Sequence, residues 1–207
     1  MIDYLGIIPA KKNSKGIKNK HLLKIKEKRV IEYTFENSKN SRILDRTILT
    51  TDDNRSFKLA NKHRINIPFV RPKRLSKDNT SMNDVILHTL KWFEKKSFLP
   101  KNFVLLQPTS LFRKENDIDK IITKYIKLNS KCMISISETI NNNYEGVKLK
   151  NSKICLFNKK SLNRQNMEKS YFINGSIYVR NTKDFLKTNK LITYNPHYFL
   201  QDKFNSF

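Results

Sequence analysis

Three short segments of the 207-residue chain are the places where chemistry could sit: PAKKNSKG (9–16), RPKRLSKD (71–78) and QPTSLFR (107–113). In the first, Pro9 ends an apolar run, and small polar residues, one glycine and several lysines follow. Backbone N–H groups in such a turn can converge on phosphate oxygens while Lys11, Lys15 and Lys20 neutralise them. A solvated lysine loop would have the same composition, so the pattern by itself leaves both readings open. It is neither a GxxxxGK[ST] loop nor a GxGxxG fingerprint.

Other chemistries find no support. The four histidines (His21, His63, His88, His197) show no metal-binding spacing. No Ser/His/Asp or Cys/His constellation can be assembled, which argues against a hydrolase. Cys132 and Cys155 lack a CxxC spacing and are too few to staple a domain of this size, which predicts a reduced, cytoplasmic protein. No apolar run reaches the roughly 18 residues that would span a bilayer, and no secretory leader opens the chain, so membrane insertion and export are not expected.

The elements that must position the three segments follow from hydrophobic periodicity. Apolar runs of strand length alternate with segments of helical period, the signature of a parallel sheet covered by helices. The predicted strands are YLGII (4–8), TILTT (47–51), IPFV (67–70), FVLLQ (103–107), CMISIS (132–137) and SIYV (176–179). Helical stripes run through Val30, Ile31, Tyr33 or Thr34 and Phe35; through Val85, Ile86, Thr89, Leu90 and Phe93; and through Ile118, Ile121, Ile122 and Tyr125. Ser81 is a candidate cap for the second, and Asp52 or Asp53 for a helix after TILTT. Each of the three segments leaves a strand at its carboxyl end, where open parallel α/β sheets bind ligands.

The interval 139–170 breaks this rhythm. It is rich in Asn and Lys and predicts an inserted hairpin or arm, either for dimerisation or as a surface loop. The formal charge of +24 raises nucleic acid as a partner. The basic residues are spread over the whole chain, however, and most of the aromatics are expected in the apolar stripes, where they cannot interleave a basic face.

Taken in order, IIPAKKNSKGIKNKHL (7–22), FVRPKRLSKDNTS (69–81), LLQPTS (105–110) and FINGSIYV (172–179) resemble the acylneuraminate cytidylyltransferases, over nearly the whole chain. The resemblance implies a Rossmann-like nucleotidyltransferase fold in one domain, 1–207, and a homodimer held partly by the arm. It also implies a Mg²⁺-dependent reaction in which a nine-carbon 2-keto sugar acid attacks the α-phosphate of CTP and releases pyrophosphate. Carried over by position, Ala10, Lys11, Asn13, Ser14, Lys15, Gly16, His21, Arg71, Asp78 and Thr80 bind the nucleotide. Gln107, Thr109, Asn174 and Gly175 face the sugar, and Lys11, Lys20 and Arg164, next to Gln165, act in catalysis. Lys11 and His21 stand where the family usually has arginine and asparagine. An Asp-x-Asp element that would hold the metal is expected beyond YFLQDKFNSF, where this chain stops, with Asp202 as its last acid. The alternatives are a catalytically silent nucleotide-binding relative and a basic nucleic-acid-binding protein.

Overall fold

The computed structural model describes residues 2–12, 17–139 and 169–202, together with the backbone of 147–150 and 153–156. In chain order the elements are β1 (Tyr4–Ala10), β2 (Lys24–Ile25), β3 (Lys28–Arg29), α1 (Val30–Asn40), β4 (Arg46–Thr51), α2 (Asn54–Lys62) and α3 (Met82–Lys95). There follow β5 (Asn102–Leu106), α4 (Asp117–Lys127), β6 (Cys132–Glu138), β7 (Val147–Lys150), β8 (Lys153–Leu156), β9 (Tyr171–Asn181), α5 (Thr182–Thr188) and β10 (His197–Gln201).

Six strands form the central sheet in the order β10-β6-β9-β5-β1-β4. The pairs β1/β4, β1/β5 and β6/β10 are parallel, while β9 runs antiparallel to both β5 and β6. The fold is therefore α/β, with a mostly parallel sheet flanked by helices. Strand residues alternate strictly between its two faces. Ile8, Ala10, Val104, Leu106, Ile177 and Val179 pack with α1, α2 and α4, whereas Leu5, Ile7, Phe103, Leu105 and Tyr178 pack with α3 and α5. Two-sided cover explains why these strands read as continuous apolar runs rather than as alternating ones.

The helices start where their caps dictate. Ser81 Oγ accepts from Asp84 N at 3.1 Å and starts α3. Asp53, rather than Asp52, caps α2 by accepting from Arg55 N at 3.0 Å. Glu32 Oε2 accepts from Arg29 N at 2.8 Å at the head of α1, and on that helix Thr34 is buried while Tyr33 donates to Ile25 O.

The structure corrects three sequence expectations. IPFV (67–70) is not a strand: the segment touches β4 only through isolated bridges at Asn66 and Val70, because Pro68 removes the N–H a ladder would need. SIYV is an inner stretch of the much longer β9. The helix α5 and the edge strand β10 were missed, the latter because its pattern is mostly exposed. Six aromatics, Phe98, Phe112, Tyr171, Phe172, Tyr194 and Tyr198, are exposed, since they lie in loops and in strands that are not covered.

Within 139–170, β7 and β8 pair antiparallel with each other and form a sheet of their own. The chain leaves and re-enters the main sheet at one point: Glu138 pairs with Tyr171, and Thr139 N donates to Ser170 O at 2.9 Å. An insertion closed at its base in this way need not disturb the strands it interrupts.

Candidate functional site

The carboxyl ends of β1 and β5 open into a cavity of about 320 Å³. Pro9, Ala10 and Lys11 continue β1 into it, and Lys20 and His21 arrive on the 3-10 turn that follows the opening loop. Arg71, Lys77, Asp78 and Thr80 come from the segment after β4, with Leu75, Met82 and Val85 as the apolar wall. Gln107, Pro108 and Thr109 close the side below β5.

Nine of the residues singled out from sequence thus meet in one place: Ala10, Lys11, Lys20, His21, Arg71, Asp78, Thr80, Gln107 and Thr109. Asn13, Ser14, Lys15, Gly16, Arg164 and Gln165 lie outside the described residues.

The cations differ in how they are held. Lys11 Nζ donates to Asp78 Oδ1 at 2.7 Å and to Lys77 O at 3.4 Å, so the opening loop is strapped to the segment after β4 across the mouth of the cavity. Arg71 is buried; its backbone N donates to Thr51 O at 2.8 Å, its Nε to Thr50 Oγ1 at 3.1 Å, and its Nη2 to Thr50 O. Burial lowers its pKa to about 10, partly opposed by Asp52, so the guanidinium remains charged at neutral pH.

His21 is buried, with Nε2 3.0 Å from Ser56 Oγ and 3.9 Å from Asp53 Oδ2. Burial pushes its pKa down, more strongly than the Asp53 carboxylate raises it, so the ring enters the cavity wall neutral. Burial would raise the pKa of Asp53 itself, but hydrogen bonds from the Arg55 side chain and backbone outweigh it and hold the carboxyl below its usual range. Arg55 Nη2 also reaches Asn19 Oδ1 at 2.8 Å and ties the start of α2 to the end of the opening loop.

Asn174 and Gly175, expected on the sugar side, are not among the residues that line the cavity. The Asn174 amide is engaged within the sheet: its Oδ1 accepts from Ser135 Oγ at 2.6 Å and Ser176 N at 3.0 Å, and its Nδ2 donates to Ser137 Oγ at 2.8 Å and Gln201 Oε1 at 2.9 Å. Gly175, at φ +77°, lies against the Gln107 side chain; a Cβ there would sit 3.7 Å from its amide atoms. Gly175 thus backs the one lining side chain it touches, Gln107.

Sequence reasoning passed over Arg113, the last residue of QPTSLFR. It is buried beneath Gln107, where its guanidinium donates to carbonyl and hydroxyl oxygens. Lys77 was also overlooked as a lining cation.

Among the described residues, no group of three or more His, Cys, Asp or Glu side chains could hold a metal ion. Among the described residues that line the cavity the one carboxylate, Asp78, is paired with Lys11. These residues do not form a carboxylate cage for the expected Mg²⁺. Asp202, the last acid before the end of the chain, faces Lys114 at 3.7 Å and does not line the cavity. No described helix is long and apolar enough to cross a membrane.

A family model described as "Cytidylyltransferase" matches residues 5–205. The N-acylneuraminate cytidylyltransferase of Escherichia coli is 27% identical over 211 residues, covering 98% of this chain and 48% of that protein. The pseudaminic acid cytidylyltransferase of Campylobacter jejuni is 27% identical over 196 residues, covering 93% of this chain and 84% of the relative. The chain thus spans about half the length of the first relative and most of the second. Among solved structures, CMP:2-keto-3-deoxy-manno-octonic acid synthetase complexed with CTP superposes with a TM-score of 0.70 at 13% identity, covering 97% of this chain and 90% of its own. At that identity the likeness establishes the fold.

Proposed function

The chain belongs to the cytidylyltransferase family, and from that premise we propose that it transfers CMP from CTP to a nonulosonic acid and releases pyrophosphate. One observation carries the reading: nine residues chosen from sequence converge on a single cavity at the strand ends, with Lys11, Lys20, Arg71 and Lys77 contributing positive charge from three separate segments. The acid relies on a likeness to relatives named for N-acylneuraminate, pseudaminic acid and diacetyllegionaminic acid.

In this scheme the triphosphate enters between the β1 loop and the segment after β4. The anomeric hydroxyl oxygen forms a bond to the α-phosphorus and its proton is released to solvent, while the bond to the bridging oxygen breaks and that oxygen leaves with pyrophosphate. Negative charge builds on the phosphates along this path, so fixed cations in a partly buried cleft favour the transition state over the ground state. Arg71, immobilised by Thr50 and Thr51, needs no reorganisation to do so. Lys11 and Lys20 supply mobile charge at the mouth, and the neutral His21 offers a hydrogen-bonding wall rather than a further cation. The Gln107 amide, which both donates and accepts, suits a substrate rich in hydroxyls.

The homodimer expected of the arm is part of the same proposal, supported by the exposed run Tyr171, Phe172 and Ile173 where β9 emerges beside it. A single-chain mass in solution would remove that element.

The test is pyrophosphate release with CTP, Mg²⁺ and a panel of neuraminic, legionaminic and pseudaminic acids. Turnover with one or more acids is expected. Arg71→Ala should mainly weaken CTP and Gln107→Ala mainly the acid, and equal effects on both would contradict this division of the cavity. CTP binding without turnover on any acid would identify a nucleotide binder instead, and tight, salt-dependent nucleic-acid binding without CTP binding would overturn both.

A further inference from the structure

We propose that Arg113 is the positioning residue for the acid substrate: it locks the Gln107 turn to the Gly175–Ser176 corner of β9 and so fixes the side of the cavity that reads the acid. The proposal deepens the functional reading above and rests on Gln107 facing the acid.

Arg113 lies six residues after Gln107 and is 4% exposed. Its guanidinium joins three chain segments. Nη2 donates to both Ser176 O, at 2.8 Å, and Gln107 O, at 3.1 Å. Nε donates to Ser176 Oγ at 3.2 Å, and Nη1 reaches Thr34 Oγ1 on α1 at 3.4 Å. The two carbonyls bridged by Nη2 belong to the residues between which the backbone pairing of β5 and β9 ends, since Gln107 N donates to Ser176 O at 3.3 Å. Ser110 N then closes the turn onto Gln107 O at 3.3 Å.

The Gln107 side chain rests on Gly175, the residue before Ser176, at ordinary contact distance. Its direction is therefore set by the relative placement of the two segments that Arg113 clamps. Burial of a full charge is otherwise unfavourable, and it lowers the pKa of this group to about 10, with Asp117 opposing through its field. An apolar residue of similar volume would fill the space without that penalty. What it could not do is bind two carbonyls and two hydroxyls from one rigid plane, which is the property that distinguishes arginine from lysine. Arg71 plays the corresponding part across the cavity, gripping Thr50 beside the nucleotide half. The two halves thus have separate buried supports, and disturbing one should spare the other.

The test is steady-state kinetics of Arg113→Lys and Ser176→Ala with CTP and whichever acid the wild-type chain uses best, alongside calorimetric CTP binding. Arg113→Lys keeps the charge but loses the fork, and it should raise KM for the acid by about tenfold, the size of one charge-assisted hydrogen bond. KM and Kd for CTP should stay within about twofold, which a general loss of structure would not permit. Ser176→Ala removes one acceptor and should raise KM for the acid by about threefold in the same pattern. If Arg113→Lys does not fold, Ser176→Ala decides. An unchanged KM for the acid in a folded variant, or equal rises for both substrates, overturns the proposal. A wild-type chain with no turnover on any acid instead overturns the functional reading, a result readily told apart from an active wild type matched by its variants.

Discussion

The contact most directly in the path of a triphosphate is the Lys11–Asp78 pair, and Asp78→Asn tests what it does. Nζ and Oδ1 are 2.7 Å apart, and the two side chains are 27% and 38% exposed. Exposed pairs contribute about 0.2–1 kcal/mol, and partial burial places this one toward the upper end, about 0.5–1 kcal/mol. If CTP recruits Lys11, that interaction must be given up or shared on binding, which works against the nucleotide by the same amount. Removing the carboxylate charge should then tighten CTP binding by roughly two- to fivefold, with the loss of repulsion between carboxylate and phosphate acting in the same direction. Titration calorimetry of CTP without the acid substrate measures this, and the gain should shrink as salt screens the charges. The free protein should lose no more than about 1 kcal/mol of stability, a drop of about 2–4 °C in Tm for a chain of this length. Weaker CTP binding in Asp78→Asn would refute the reasoning: the carboxylate would then contact the nucleotide itself or orient Lys11 in the bound state, rather than hold the lysine in reserve.

Two further outcomes follow from the same geometry. In Gly175→Ala the new Cβ meets only the Gln107 amide at 3.7 Å, so the penalty is the backbone at φ +77°, about 1–2 kcal/mol or about 2–8 °C in Tm; an unchanged melting temperature would show that the corner relaxes freely. His21 has a folded pKa lowered by burial, so below about pH 6.5 the unfolded chain takes up a proton that the folded one resists, and stability falls as pH drops toward the lowered value. His21→Asn should flatten part of the Tm loss between pH 7 and 5, with His88, lowered by burial and Arg74, supplying the rest; identical slopes would exclude His21 as a source.

Much of this architecture is legible in the sequence because its strands are covered on both faces. β1, β4, β5 and β6 read as apolar runs, and α1, α3 and α4 as stripes at helical spacing, so the strand ends and the loops leaving them could be placed. β10 escaped for the opposite reason: as an edge strand with His197, Tyr198 and Leu200 exposed, it has no apolar run to find. The hydrogen-bond partners of Asn174 could not be read from the sequence because most of them are remote along the chain. Gln201 links it onward to Asp117, through an Nε2 to Oδ2 hydrogen bond of 2.6 Å, and neither residue carries a motif.

Arg113 did leave a signal, in the choice between two cations. The chain carries 32 lysines and ten arginines, yet among the described residues the buried cations are Arg71, Arg113 and Arg180, and none is a lysine. Each spreads its donors over carbonyls or hydroxyls that would otherwise be stranded: Arg180 donates to Lys131 O, Lys190 O and Thr188 Oγ1 and pairs with Asp184. A lysine ammonium is more strongly hydrated and offers no fork, so it cannot replace arginine at such positions without leaving acceptors unsatisfied. Lys11 shows the other side of this rule. It stands where the resemblance has arginine, but it is partly exposed and needs only one carboxylate oxygen, so lysine suffices there. The lysine bias of the chain thus extends over its surface and stops at burial. Two of the three buried arginines, Arg71 and Arg113, support the walls of the cavity.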